Sequence, residues 1–186
     1  MSEIEIALQG TGSTHTVQGQ AAWSVMHHYA AILATPWPKV MVGVRVSDTA
    51  VTAIDLLAGN GSPYPAQTAI ARAAVEQLLS YFQDPLYRFS LPIVTAGTPF
   101  QRKVWDALRH ISPGETRSYS ELARQLGSGP RAIGGACRAN PLALVIPCHR
   151  VVAAKGLGGF MGVASGDELD IKQYLLAHER VLQCRV

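Results

Sequence analysis

Hydrophobic and polar residues alternate in two stretches of this 186-residue chain. Ile4, Ile6 and Leu8 form the first, and Val40, Val42, Val44 and Val46 the second; each predicts a half-buried strand. Ser47-Asp48-Thr49 supplies turn residues after the second, and Val51 to Leu57 returns, so residues 40–57 predict an antiparallel hairpin. Residues 20–34 are rich in Ala and apolar residues and predict a helix ended by Thr35-Pro36. Gly59 to Pro63 is a loop, and residues 66–82 predict an amphipathic helix. Asp84-Pro85 and Leu91-Pro92 then mark a change of pattern. Short helices follow at 98–110, 118–126, 130–138 and 168–182, punctuated by Gly and Pro. The expected architecture is an N-terminal α/β domain over 1–92, a small antiparallel sheet with helices. A mainly α domain over 93–186 follows it.

The middle two short helices carry the clearest local signals. Ser118 and Glu121 stand at capping-box spacing. Gly127-Ser128-Gly129 breaks the first helix, and Pro130 suits the first position of the next, where its missing N–H costs nothing. Two short helices across a Gly-rich turn resemble a helix-turn-helix of the winged-helix kind. The second, Arg131 to Arg138, is built of small residues, and Gly134 and Gly135 in mid-helix cost about 1 kcal/mol each relative to alanine. Either close approach of DNA or close packing in the core offsets that cost.

Composition narrows the class. An apolar content of 48% against 16% charged residues describes a compact globular protein. No apolar run approaches the ~18 residues needed to span a bilayer, and Met1-Ser2-Glu3 has no export signal, so no membrane partner is expected. The three cysteines are an odd number, which argues against a disulfide framework and fits a reducing cytoplasm. Cys137, Cys148 and Cys184 lack paired CxxC spacing, so no metal site is expected. Residues 1–99 hold 4 Lys/Arg against 6 Asp/Glu, and residues 100–186 hold 12 against 7. The positive excess therefore lies in the second half, which points mildly to a polyanion there.

Chemistry concentrates at Pro147-Cys148-His149-Arg150, inside an apolar run from Val145 to Val152. A thiol is a strong nucleophile only as the thiolate, and a nearby imidazole or cation promotes that form. If the run is a strand, Cys148 and His149 point to opposite faces, and a water bridge between them is reasonable. Ile171, Leu175, Glu179 and Leu182 share one helical face. A carboxylate on such a stripe is seldom buried unless paired, and a cysteine–histidine–glutamate array would supply the partner.

Several segments together resemble one family, the O6-alkylguanine-DNA alkyltransferases (methylated-DNA–protein-cysteine methyltransferases). They are Gly97-Thr-Pro-Phe-Gln-Arg-Lys-Val-Trp105, Gly114-Glu-Thr-Arg-Ser-Tyr119, Arg131-Ala-Ile-Gly-Gly-Ala136, Arg138-Ala-Asn-Pro141, Ile146-Pro-Cys-His-Arg-Val151 and Leu175-Leu-Ala-His-Glu179. The resemblance covers about 90 residues, and the order and spacing of six segments are far more specific than a lone PCHR. It implies single-turnover DNA repair without a cofactor. A monomer binds duplex DNA, turns an O6-alkylguanine out of the stack and takes its alkyl group onto Cys148. O4-alkylthymine is a further substrate class the resemblance leaves open.

It also implies roles. His149 resembles the general base acting through water, Glu179 the residue orienting it, and Asn140 the asparagine bracing the active-site turn. Tyr119 resembles the donor toward the departing guanine, and Arg131 the residue filling the space left by the flipped base. Ala132 and Gly135 resemble the small residues that let the helix approach the minor groove, with Arg138, Arg117 and Arg124 as phosphate contacts. Cys137, Phe160 and Val151 are expected at the substrate pocket.

Four features depart from the family pattern. The turn Gly127 to Pro130 is about two residues short, Phe160 stands where many members have tyrosine, Cys137 replaces a bulkier apolar residue, and 163–170 is longer. Three other readings compete: a damage-recognising protein of the same fold that transfers nothing, an alkylation-sensing regulator, and an unrelated cysteine hydrolase. The cysteine at 148 counts against the first, the lack of a partner module against the second, and the basic helix pair against the third.

Overall fold

The structure is a computed structural model and describes residues 28–59, 61–161 and 167–180. Three strands, β1 (Ala31–Ala34), β2 (Val40–Val46) and β3 (Val51–Ala58), form an antiparallel sheet in the order β1-β2-β3. The predicted hairpin is present. Val42 pairs with Leu56 and Val44 with Ile54, and the Ser47 hydroxyl accepts from the Ala50 amide at 3.2 Å to close the turn.

The helix expected over 20–34 is corrected where it can be seen: Ala31 to Ala34 is strand, paired from Ala31 with Val44 to Ala34 with Met41. Of these four residues only Ile32 has a strong strand preference, so the ladder with β2 decides the conformation there. Residues 20–27, and the strand expected at Ile4, Ile6 and Leu8, lie outside the described residues.

Helix α1 (Ala69–Gln83) packs on the sheet through Ala71, Ala74, Leu78 and Tyr81. The outer edge of β3 is covered by two returning loop segments. Val51 exchanges backbone hydrogen bonds with the segment 92–94, and Ile54 with the segment 141–143. That covering removes an open sheet edge and carries the chain from β3 to the residues just before Cys148.

The four short helices appear near the predicted bounds: α2 (Pro99–Arg109), α3 (Tyr119–Leu126), α4 (Pro130–Arg138) and α5 (Asp167–Arg180). Thr98 and Ser118 each make a complete capping box, with Gln101 and Glu121. Gly127 ends α3 in the left-handed region, φ 64°, and Pro130 takes the first turn of α4. Trp105 on α2 donates its indole N–H to the Ala136 carbonyl of α4 at 2.8 Å. A Cβ at Gly97 would meet that indole ring at 2.6 Å, so glycine is required there.

A two-residue strand β4 (Arg117–Ser118) runs parallel to β5 (Val151–Val152), joining the start of α3 to the residues after Cys148. One buried cluster runs from Val42 and Ile54 through Leu108, Leu122 and Ile133 to Leu175. Among the described residues no helix is long and apolar enough to cross a membrane.

Candidate active site

Cys148, His149 and Arg150 form a single 3-10 turn led by Pro147, not the strand their apolar surroundings suggest. Three successive residues of such a turn point in three directions. Cys148 is half-buried, while His149 and Arg150 are buried. Asn140 holds the approach to the turn. Its amide nitrogen donates to the Ile146 carbonyl at 2.7 Å and to Cys148 Sγ at 3.3 Å, and its oxygen accepts from the Leu142 amide at 3.0 Å.

Glu179 is 2% exposed on α5, on the apolar face with Ile171 and Leu175; Leu182 lies outside the described residues. One carboxylate oxygen, Oε1, accepts from His149 Nε2 at 2.9 Å, from Arg150 Nη2 at 2.8 Å and from the Tyr81 hydroxyl at 2.9 Å. The other, Oε2, accepts from Arg150 Nε at 2.9 Å and from the Gly114 amide at 3.5 Å. Burial opposes the charge of Glu179, but the hydrogen bonds and charges of His149 and Arg150 outweigh it. Its carboxyl is held well below the usual range.

Burial lowers the basicity of His149, against the pull of Glu179, which favours the neutral imidazole. With a carboxylate at Nε2, we assign the proton to that nitrogen, which leaves Nδ1 as an acceptor. Burial likewise pushes the Cys148 thiol up, while Asn140, the charge of Lys172 and the amides of Cys148 and His149 work in the other direction. Both directions favour a thiol beside a neutral imidazole, the pair that a histidine acting as general base through water requires.

Cys148 opens into a cavity of about 570 Å³. Of the residues expected at the site, Tyr119, Gly135, Cys137, Arg138, Asn140 and Phe160 line it. The Tyr119 hydroxyl donates to the Gly159 carbonyl at 3.1 Å, and burial together with the two thiols pushes its pKa up to about 12. The Cys137 thiol is also raised to about 12, first by burial and then by Cys148.

Val151 does not reach the cavity. It is fully buried, and its backbone pairs with Arg117. Arg131 and Ala132 are exposed on the first turn of α4, and Arg117 and Arg124 are exposed on β4 and α3. A Cβ at Gly135 would meet nothing within 4 Å, and one at Gly134 only the Tyr119 ring at 3.9 Å. Close packing against another helix therefore does not explain these glycines, which face open space at the cavity mouth.

Three contributors were not anticipated. Lys172 is fully buried on α5 and donates to the carbonyls of Val151 (2.7 Å), Leu157 (2.6 Å) and Gly159 (3.2 Å). It thereby ties the loop before Phe160 to the strand after the cysteine turn. Burial lowers its pKa to about 8, against the pull of Cys148 and Cys137. Its position, three residues before Leu175 and seven before Glu179, put it on the same apolar stripe, and that signal was present in the sequence. Arg150 stands out in the sequence beside Cys148, but no signal marks it or Tyr81 as a partner of Glu179. Ile54, Asp55 and Leu56 of β3 also line the cavity, so the N-terminal sheet forms part of its wall. No group of three or more His, Cys, Asp or Glu side chains that could hold a metal lies among the described residues.

Residues 99–181 match the family described as "6-O-methylguanine DNA methyltransferase, DNA binding domain". Over 110 residues, 58% of this chain, it is 50% identical to a methylated-DNA–protein-cysteine methyltransferase of Mycolicibacterium paratuberculosis, covering 64% of that protein. The same stretch is 46% identical to one of Methanosarcina acetivorans, covering 68% of it. The fold is similar to the crystal structure of Mycobacterium tuberculosis O6-methylguanine methyltransferase, with TM-score 0.66, 32% identity, and 81% and 93% of the two chains covered. It is also similar to Mycobacterium tuberculosis OGT in complex with DNA, with TM-score 0.65, 34% identity, and 81% and 92% covered.

Proposed function

This chain belongs to the methylated-DNA–protein-cysteine methyltransferase family, and from that premise we propose that it repairs DNA by moving an alkyl group from O6 of guanine onto Cys148. The observation that carries this reading is the placement of Cys148 Sγ. It faces a cavity large enough for a base, it is held by Asn140 at 3.3 Å, and its neighbour His149 is locked onto a buried carboxylate. The partner is duplex DNA containing O6-alkylguanine. The target atom is inaccessible inside a duplex, so the base must be turned out of the stack.

Chemically, the Sγ–H proton passes through a water to His149 Nδ1 while Sγ attacks the alkyl carbon and the carbon–O6 bond breaks. Glu179 keeps His149 in the tautomer that can accept. Tyr119 donates toward the departing guanine; a hydroxyl near 12 holds its proton until negative charge develops on the base. The thioether is stable, so each molecule acts once. No residue role needs a cofactor or a metal.

Helices α3 and α4 act as the helix-turn-helix, in a winged-helix-like acceptor domain over residues 93–186. Arg131 enters the stack, Ala132 and Gly135 lie against the minor groove, and Arg117, Arg124 and Arg138 neutralise phosphates. The exposure of Arg131 and Ala132 and the open space at Gly135 support that orientation. The protein acts as a monomer in a reducing cytoplasm.

The test is an intact mass after incubation with a duplex containing O6-methylguanine. We expect a gain of about one methylene unit on the Cys148 peptide, absent in Cys148→Ser. DNA binding without any adduct would overturn the transferase reading.

A further inference from the structure

We propose that Tyr81 is a positioning residue for the reaction: its hydroxyl holds and partly neutralises the carboxylate oxygen on which His149 depends. The inference rests on the alkyl-transfer reading above. It also gives the N-terminal half, which carries no chemical motif, a part in the proton transfer, exerted through Glu179 and His149.

Tyr81 lies on α1 and is 1% exposed. Its ring packs against Phe82, Phe89 and His178. That packing would be served equally by phenylalanine, so the hydroxyl is the part that needs a reason. A buried tyrosine hydroxyl must find an acceptor, and any backbone carbonyl would do. Here it takes Glu179 Oε1 at 2.9 Å, the atom that accepts from His149 Nε2.

The same residue is also gripped from the other side. His178, next to Glu179 on α5, meets the Tyr81 carbonyl through Nε2 at 2.9 Å. Tyr81 therefore sets the distance between α1 and α5 from both its backbone and its side chain, and with it the position of the Glu179 carboxylate.

The charged and titratable groups around the pair come from every neighbouring element. Arg150 stands on the cysteine turn and Lys172 on α5, where its charge acts on His149. Cys148 precedes His149, and His178 lies beside Tyr81. The Gly114 amide reaches Oε2. Arg150 bonds both carboxylate oxygens, so Glu179 stays in place if the Tyr81 hydroxyl is removed.

Removal leaves Oε1 with more of its charge and makes it a stronger partner for an imidazolium. His149 then protonates at higher pH, and the neutral imidazole that accepts the thiol proton is confined to a higher range.

The experiment compares wild type with Tyr81→Phe from about pH 5 to 9, across the imidazole range. Two rates are followed: single-turnover methyl transfer from an O6-methylguanine duplex, and alkylation of Cys148 by iodoacetamide. We expect the acid limb of both profiles to move up by about half a pH unit, with the high-pH plateau unchanged. A lowered plateau with an unmoved limb would mean a structural role and overturn the proposal. A 3,5-difluorotyrosine at position 81 keeps the shape, donates more strongly and should move the limb down. If Tyr81→Phe fails to fold, that form decides alone, and an unmoved limb overturns the proposal. A shift with iodoacetamide in a protein that takes no methyl group from DNA would sink the transfer reading and keep the positioning role.

Discussion

Replacing Glu179 by glutamine tests the organisation of the whole site. The carboxylate accepts four hydrogen bonds of 2.9 Å or less, from Tyr81, His149 and twice from Arg150. An amide can accept at only one end. Whichever way it turns, its NH₂ faces donors, and the buried Arg150 guanidinium loses its counter-charge. Breaking one partner of a buried ion pair costs about 3–5 kcal/mol. For a chain of this size that is a fall in melting temperature of roughly 6–20 °C.

The sign with pH also follows. Glu179 is held below its ordinary value, so its contribution is full above the unfolded carboxyl pKa, about 4.3. It is lost as pH falls through the folded value. The gap between wild type and Glu179→Gln should therefore be full at neutral pH and shrink below about pH 4.

Far-UV circular dichroism melts at several pH values measure the stability, and the mass shift on an O6-methylguanine duplex measures the chemistry. Adding Arg150→Met removes the stranded charge, so the double variant should recover part of the lost stability while transfer stays slow. A Glu179→Gln protein that melts within about 2 °C of wild type, or a double variant less stable than the single, would refute the reasoning.

Two further outcomes follow from the same geometry. Gly135→Ala should raise stability by about 0.5–1 kcal/mol, since its Cβ meets no atom, yet weaken binding to duplex DNA; a lower melting temperature or unchanged affinity would contradict the exposed-face assignment. Lys172→Met removes a group whose pKa is about 8 when folded and about 10.4 when unfolded, so the unfolded chain binds more protons in that window. Wild-type stability relative to the variant should rise across it by up to about 3 kcal/mol in urea titrations, and a flat difference would refute the assignment.

Much of the site was legible from local patterns. The two capping signals, the Gly-Ser-Gly break and Pro130 predicted α3 and α4 closely, because caps act over three or four residues and need no tertiary partner. Glu179 was recognisable because a carboxylate on an apolar stripe implies a buried partner. Val151, expected at the pocket, is instead buried in the core, with its backbone paired to Arg117. Around Ala31 the alanine-rich pattern predicts helix despite Ile32, and pairing with β2 makes it strand.

By itself, the sequence determined the hairpin and the four short helices, and it singled out Cys148, His149 and Glu179. All are matters of spacing along one strand, one helix face or one turn. Only the tertiary structure decided that the Cys148 thiol is pushed up, since the cause is burial and burial is a property of the whole fold. It also decided what holds Glu179. Tyr81 is 98 residues away, and nothing in the local pattern of α1 distinguishes a core tyrosine from one whose hydroxyl completes a carboxylate. That contact exists because α1 and α5 pack together, and a side chain's partner across such an interface is chosen by three-dimensional proximity, which sequence spacing does not encode.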